Sequence, residues 1–102
     1  MTVNLNANET VIKAGDSLHL ANDQKIQGKL ILTNQRLFFT LFGESIEKPL
    51  LEFLPAHIKE LLFFNTMRII PNGLNIVTKD GKEHKFTIKK RDEWGSMINK
   101  MY

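Results

Sequence analysis

Residues 28–39 read Gly28-Lys29-Leu30-Ile31-Leu32-Thr33-Asn34-Gln35-Arg36-Leu37-Phe38-Phe39, two apolar runs separated by a polar pair. Aliphatic β-branched and aromatic residues favour extended strands because they pack well on a pleated surface. Asn favours turns because its side chain hydrogen-bonds to nearby backbone and tolerates left-handed geometry. This stretch therefore predicts a hairpin, with strands over 29–33 and 36–42 that pivot on Asn34-Gln35.

Alternating apolar residues predict further strands on both sides of this hairpin. Asp80-Gly81 is the strongest short-range hairpin signal in the chain. Residues 58–65 could by periodicity be strand or helix, and their two phenylalanines favour strand. The predicted strands are 9–20 with a bend or bulge at Gly15-Asp16, 49–53, 58–65, 74–78 after a turn at Asn72-Gly73, and 82–88 after the turn at 79–81; a further turn is predicted at 22–24.

The chain ends in a segment of helical period. Trp94, Met97, Ile98 and Met101 fall at i, i+3, i+4 and i+7, one apolar face of a helix. Gly95 weakens a helix by about 1 kcal/mol relative to Ala, so its presence indicates close packing. We expect a mainly β fold, a partly open seven-strand barrel or roll capped by one C-terminal α-helix that buries Trp94.

Length and composition indicate one domain. The 102 residues suffice for a single core, and we expect residues 1–8 to be a frayed segment and 9–102 to be the domain. The absence of cysteine excludes disulfides and thiolate metal sites. Residues 1–8 lack the features of a signal peptide, and no apolar run approaches the ~20 residues that span a bilayer. We therefore expect a cytoplasmic protein, with peripheral membrane attachment left open.

The net charge of +3 comes entirely from the last quarter of the chain. Residues 1–78 hold seven basic and seven acidic residues, whereas 79–102 hold seven basic and four acidic ones. The basic tract Lys79 to Arg91 can be an anion-facing surface or simply the solvated face of a hairpin, since Asp80 and Glu83 interrupt it.

The sequence shows none of the usual constellations of catalysis. The three histidines, His19, His57 and His84, lack the paired spacing of zinc sites. The serines have no evident base partner, and the glycines form no phosphate-binding loop. We predict a non-enzymatic protein without metal or cofactor.

The order of elements resembles the GRAM domains of the pleckstrin-homology-like superfamily. The resemblance covers residues 9–101, departs most over 43–67, and is carried by 28–39, by 72–82 (Asn-Gly-Leu-Asn-Ile-Val-Thr-Lys-Asp-Gly-Lys), by Lys85-Phe86-Thr87 and by Arg91-Asp92-Glu93-Trp94. It implies a non-catalytic module that binds lipid headgroups or proteins. Relatives that bind phosphoinositides cluster bases in and after the first hairpin loop, where this chain has Asp23 and Lys25.

Two functions follow as alternatives, beside a purely structural domain. In the leading one the module binds a protein partner or a second copy of itself through an aromatic surface, because adjacent strand residues cannot both face one core. The alternative is peripheral binding to anionic lipid or phosphoinositide headgroups. Nucleic acid is not expected, because aromatics are not interleaved with the bases. The interface candidates are Phe38, Phe42, Phe63 and Phe64, and the headgroup candidates are Lys25, Lys29 and Arg36, or Lys85, Lys89 and Lys90.

Overall fold

Seven strands and one helix make up the part of the chain that the computed structural model describes, residues 7–21, 24–41 and 50–101. The predictions for Phe42 and Pro49, and for the turn at 22–23, lie outside these residues. The elements are β1 Val11–Ala21, β2 Gln24–Thr33, β3 Leu37–Leu41, β4 Leu51–Phe53, a 3-10 turn Pro55–His57, β5 Ile58–Thr66, β6 Ile70–Thr78, β7 Glu83–Ile88 and α1 Arg91–Asn99.

The strands form one antiparallel sheet in the order β4-β3-β2-β1-β7-β6-β5. The sheet curls into a half-barrel, and α1 follows it at the C-terminal end of the described chain. This confirms the predicted fold class, including the strand assignment of 58–65. Because neighbouring strands are antiparallel, the turns that follow β1 and β6 lie at one end of the sheet. The turns that follow β2 and β5 lie at the other end.

The hairpin over 28–39 pivots where the sequence places it. Thr33 N–H donates to the carbonyl of Arg36 at 2.9 Å, and Leu30 pairs with Phe39. The Thr33 hydroxyl accepts the N–H of Gln35 at 3.1 Å and that of Arg36 at 3.0 Å. The polar residues thus satisfy the backbone of the turn, while the apolar residues pair on both sides of it.

The core lies on the concave side of the sheet, where directly paired strand residues share a face. Phe39 and Phe86 meet there with ring centroids 5.4 Å apart, and His19 lies over Phe86 at 4.8 Å. The buried cluster comprises Leu30, Leu32, Leu37, Phe39, Phe53, Ile58, Leu74, Ile76, Phe86, Ile88, Trp94 and Ile98.

Helix α1 closes the open side of the half-barrel. Trp94 is 1% exposed and Ile98 is 0% exposed, so the apolar stripe predicted for this helix faces the core. Gly95 lies against the ring of Phe63, and a β-carbon at this position would overlap that ring. The close packing inferred from Gly95 is therefore present, and Phe63 is the residue that requires it.

Two glycine assignments from the sequence were wrong. No register shift occurs at Gly15-Asp16; the irregularity of β1 lies between Val11 and Lys13. Asn72-Gly73 is not a turn but part of β6, where Gly73 pairs with Phe64. A β-carbon at Gly73 would overlap the Phe64 ring and its backbone oxygen, so this glycine makes room for an aromatic neighbour.

The start of the described chain is held in place. Residues 1–6 of the segment predicted to fray lie outside the described residues. The side-chain amide of Gln35 donates to the carbonyl of Ala7 at 2.9 Å, and that of Asn34 donates to the carbonyl of Asn8 at 3.0 Å. The β2–β3 turn therefore fastens residues 7 and 8.

Candidate functional site

The structure brings three of the predicted headgroup residues to the outer face of the sheet, and a fourth, Lys89, to its border. Leu20 of β1 pairs with Lys25 of β2 on one side and with Lys85 of β7 on the other. Since His19 contacts the core ring of Phe86, its neighbour Leu20 and the two lysines face outward. Two candidates that are 60 residues apart in sequence therefore flank a single leucine.

The same face continues toward the other end of the strands. Lys29 pairs with Asp16 of β1, and Asp16 and Lys89 border one shallow pocket of about 330 Å³. We call Lys25, Lys29, Lys85 and Lys89 the lysine face. The pocket is lined by Asp16, Ser17, Leu18, Gln27, Asn72, Thr87, Ile88 and Lys89.

Apolar side chains lie among these lysines. Leu18 and Leu20 are half-buried, and Phe64 of β5 lies at the far side with the Lys85 ammonium 5.9 Å from its ring centroid. Two carboxylates also reach this face. Asp16 is exposed, whereas Glu83 accepts a hydrogen bond from the Asn75 side chain at 2.7 Å. The lysine face thus combines an excess of positive charge with a narrow apolar strip.

Arg36, a predicted headgroup ligand, is engaged within the chain instead. Its Nε lies 2.9 Å from Glu9 Oε2 and its Nη1 lies 2.7 Å from Glu52 Oε2. The hydrogen bond that Arg36 donates to Glu9 is the main cause that raises the pKa of Arg36 above its usual value. The guanidinium also lies 4.8 Å from the centroid of Phe38. Arg36 therefore joins the start of β1 to β4 across the β2–β3 turn.

Lys90, another predicted ligand, precedes the helix. Its φ of 58° is left-handed, and its carbonyl accepts the N–H groups of Glu93 at 3.0 Å and Trp94 at 3.3 Å. The residue turns the chain from β7 into α1. It lies beside the lysine face, next to Lys89, and does not line the shallow pocket that Lys89 and Asp16 border.

The predicted aromatic surface is divided. Phe38 is 1% exposed and packs with Ile31, so it offers no surface to a partner. Phe63 is 47% exposed and contacts α1, with Arg91 at 4.9 Å from its ring centroid. Phe64 points to the opposite side of β5, toward Gly73 and Lys85. Phe63 and Phe64 therefore do not form one patch.

A second pocket, which the sequence did not indicate, lies between β4 and the β6–β7 turn. It measures about 430 Å³ and is lined by Leu51, Glu52, Phe53, His57, Thr78, Lys79, Asp80, Lys82 and His84. Burial, followed by the charge of His19, lowers the pKa of His84. The hydroxyl of Thr78 donates to Asp80 and lowers the pKa of that carboxyl. The mixed charges of this pocket favour no ligand class.

Within the described part of the chain, no group of three histidine, aspartate or glutamate residues is placed to hold a metal ion. Among the same residues, no helix is both long and apolar enough to cross a membrane.

Comparisons with known proteins identify the class of fold. No protein-family model matches the chain, and no curated protein matches it. The N-terminal PH domain of Vps36 is similar in structure, with a TM-score of 0.73, 14% identity, and coverage of 95% of this chain and 81% of that one. The C-terminal PH domain of human pleckstrin 2 has a TM-score of 0.72, 16% identity, and coverage of 99% and 89%.

A further solved structure carries a ligand. The PH domain of Slm1, in complex with inositol-4-phosphate, has a TM-score of 0.64, 13% identity, and coverage of 90% of this chain and 93% of that one. The chain therefore has a pleckstrin-homology-like fold, and its structural neighbours include binding domains.

Proposed function

We propose that this chain is a non-enzymatic binding module of GRAM type that attaches to anionic lipid headgroups through the lysine face. The observation that carries the proposal is the row Lys25–Leu20–Lys85, in which two cations flank an outward leucine on adjacent strands. A surface with several lysines is attracted to the cytoplasmic leaflet by about 1 kcal/mol for each base near the lipid.

Two further observations support this choice over the aromatic interface that the sequence placed first. Of the described candidates, Phe38 is buried, and Phe63 and Phe64 lie on opposite sides of β5, so these three side chains form no contiguous apolar patch. The structural neighbour Slm1 is a PH domain in complex with inositol-4-phosphate, an anionic ligand of the expected chemistry.

The experiment is vesicle co-sedimentation at low and physiological salt, with neutral, phosphatidylserine-containing and phosphoinositide-containing vesicles. We expect capture by anionic vesicles that weakens with salt, because exposed charges are screened beyond about 8 Å at physiological ionic strength. The double variant Lys25→Glu with Lys85→Glu should lower capture roughly tenfold or more, since both favourable contacts become repulsive.

The matched control reverses two exposed lysines outside the face, Lys59 on the edge strand β5 and Lys100 after α1. It changes the net charge by the same amount. If Lys59→Glu with Lys100→Glu reduces capture as much as the lysine-face variant, the attraction is diffuse and the assigned face is wrong. Absence of capture by every anionic vesicle would reject lipid binding itself.

Protein binding through Phe63 is the second candidate, because this side chain is 47% exposed. A protein partner or second copy that covers it would be lost in Phe63→Ser. Sedimentation velocity of the wild type and of this variant tests the self-association form of the proposal. An unchanged assembly state would reject self-association through Phe63.

A further inference from the structure

The turn between β5 and β6 is built from side chains that a tight turn disfavours. Ile69 N–H donates to the carbonyl of Thr66 at 3.2 Å, which makes Met67 and Arg68 the central residues. Their φ angles are 49° and 69°, both left-handed. Hairpin turns of this type usually carry Asn-Gly or Asp-Gly, because bulky residues are strained at positive φ. The tip thus retains large side chains at a cost in turn stability.

These side chains contact little of the remaining protein. Met67 is 81% exposed and Ile69 is 80% exposed, the highest values among the large apolar residues that the structure describes, and Ile70 is 40% exposed. The strands below them are paired, with a register shift between Phe64 and Thr66: Thr66 donates to the side chain of Asn72 at 2.7 Å, and Phe64 pairs with Gly73. The hairpin therefore presents an apolar, convex tip. We call Met67, Arg68, Ile69 and Ile70 the hairpin tip.

The hairpin that carries the tip has a positive charge at its apex and no acidic residue between positions 61 and 78. Arg68 is the only charged residue between Leu61 and Thr78, a stretch without a single Asp or Glu. Asn72, which holds the base of the tip, borders the same pocket as Lys89 of the lysine face. Apolar groups at the apex, with bases at and behind it, complement a bilayer whose headgroups are anionic and whose interior is apolar.

We propose that the hairpin tip inserts Met67 and Ile69 into the headgroup and acyl boundary of an anionic membrane, with Arg68 at the level of the phosphates. The inference deepens the proposed function, on which it rests: the lysine face supplies salt-sensitive attraction, and the tip adds an apolar anchor that salt does not screen. A bilayer fits a small convex tip better than a protein partner does, because stable protein interfaces bury about 800 Å² on each side.

The absence of cysteine in the chain allows a single label to be placed at the tip. Ile69→Cys carries an environment-sensitive fluorophore, and Glu60→Cys, on strand β5 of the same hairpin, is the control. We expect the label at 69 to shift to the blue and brighten with phosphatidylserine-containing vesicles, and to be quenched by acyl-chain quenchers. The label at 60 should do neither. Capture with an unchanged spectrum at 69 would overturn insertion and leave the lysine face standing.

A second variant tests the apolar anchor without removing charge. Met67→Asn with Ile69→Ser keeps Arg68 and places at position 67 a residue that tolerates a left-handed φ, so the fold should be at least as stable. We expect the capture that remains at physiological salt to fall tenfold or more. Unchanged capture would overturn the proposal. A change in the assembly state alone would also overturn it and would assign the tip to a protein contact.

The two proposals fail in different ways. If the lysine-face reversal has no effect on capture while the label at 69 still shifts with neutral vesicles, the lysine face is wrong and the tip acts alone. If the reversal weakens capture but the tip variant and its label do not respond, the tip is wrong.

Discussion

Arg36 illustrates how a side chain's role depends on neighbours that are distant in sequence. By type and position it was a candidate for phosphate binding. Along the sequence, Arg36 is 27 residues from Glu9 and 16 from Glu52. In the structure it donates hydrogen bonds to both carboxylates. The Glu9 side chain is 0% exposed and the Arg36 side chain is 11% exposed, so this ion pair is largely removed from water. Nothing in the sequence around Arg36 indicates the Glu9 contact.

We predict that Arg36→Met destabilises the domain by about 3 kcal/mol, because it removes the guanidinium from a buried carboxylate. Met retains an apolar stem, so the loss reports the charge rather than the packing. The control is Glu52→Gln, whose side chain is 40% exposed and whose pair with Arg36 should contribute less than about 1 kcal/mol. Urea unfolding followed by circular dichroism measures both. Equal effects would contradict the distinction between the two carboxylates.

At the scale of the elements, period and turn chemistry predicted the strands and the helix well. The Asp80-Gly81 turn, with Gly81 at a φ of 87°, lies where the dipeptide indicates. One of the two failures concerns a glycine whose purpose is to admit a neighbouring side chain. Gly73 resembles a turn residue beside Asn72, but it leaves room for Phe64 on the adjacent strand. A sequence pattern cannot separate these two uses of glycine, because the second depends on strand pairing.

Gly73→Ala should therefore lower the free energy of unfolding by about 1–3 kcal/mol, as overpacking does, because the added methyl meets both the ring and the backbone of Phe64. Gly15→Ala on β1 is the matched control. There the methyl would lie 3.4 Å from Ile88 and Trp94, an ordinary contact, and the restricted unfolded chain should offset any loss. The denaturant midpoints of the two variants, each compared with that of the wild type, measure this difference in stability. A tolerated Ala at 73 would refute the packing explanation.

At the scale of the whole molecule, one helix completes a sheet that otherwise leaves part of its core open. Trp94 packs among residues of β1 and β7, with its ring 3.4 Å from the position that a β-carbon on Gly15 would take. The sheet curvature that creates this opening arises from all seven strands together. The apolar stripe of α1 indicated burial, and the assembled sheet supplies the surface on which it is buried.

We expect Trp94→Ala to cost about 3–5 kcal/mol, because a large aromatic side chain leaves a cavity that its neighbours cannot fill. Ser96→Ala, at an exposed position of the same helix, should change stability by less than about 0.5 kcal/mol. Thermal unfolding followed by far-ultraviolet circular dichroism compares them. Comparable melting temperatures for both variants would mean that α1 is not needed to complete the core.

The sequence by itself determined the class of fold, the hairpin at Asn34-Gln35, the strand over 58–65 and the burial of Trp94, because each of these follows from local period, residue propensity or turn chemistry. Only the tertiary structure decided which charged residues act together. It joined Lys25 to Lys85 across Leu20, paired Arg36 with Glu9, and separated Phe63 from Phe64. The physical reason is register: the partner of a strand residue depends on how distant strands align, and periodicity within one strand does not specify that alignment.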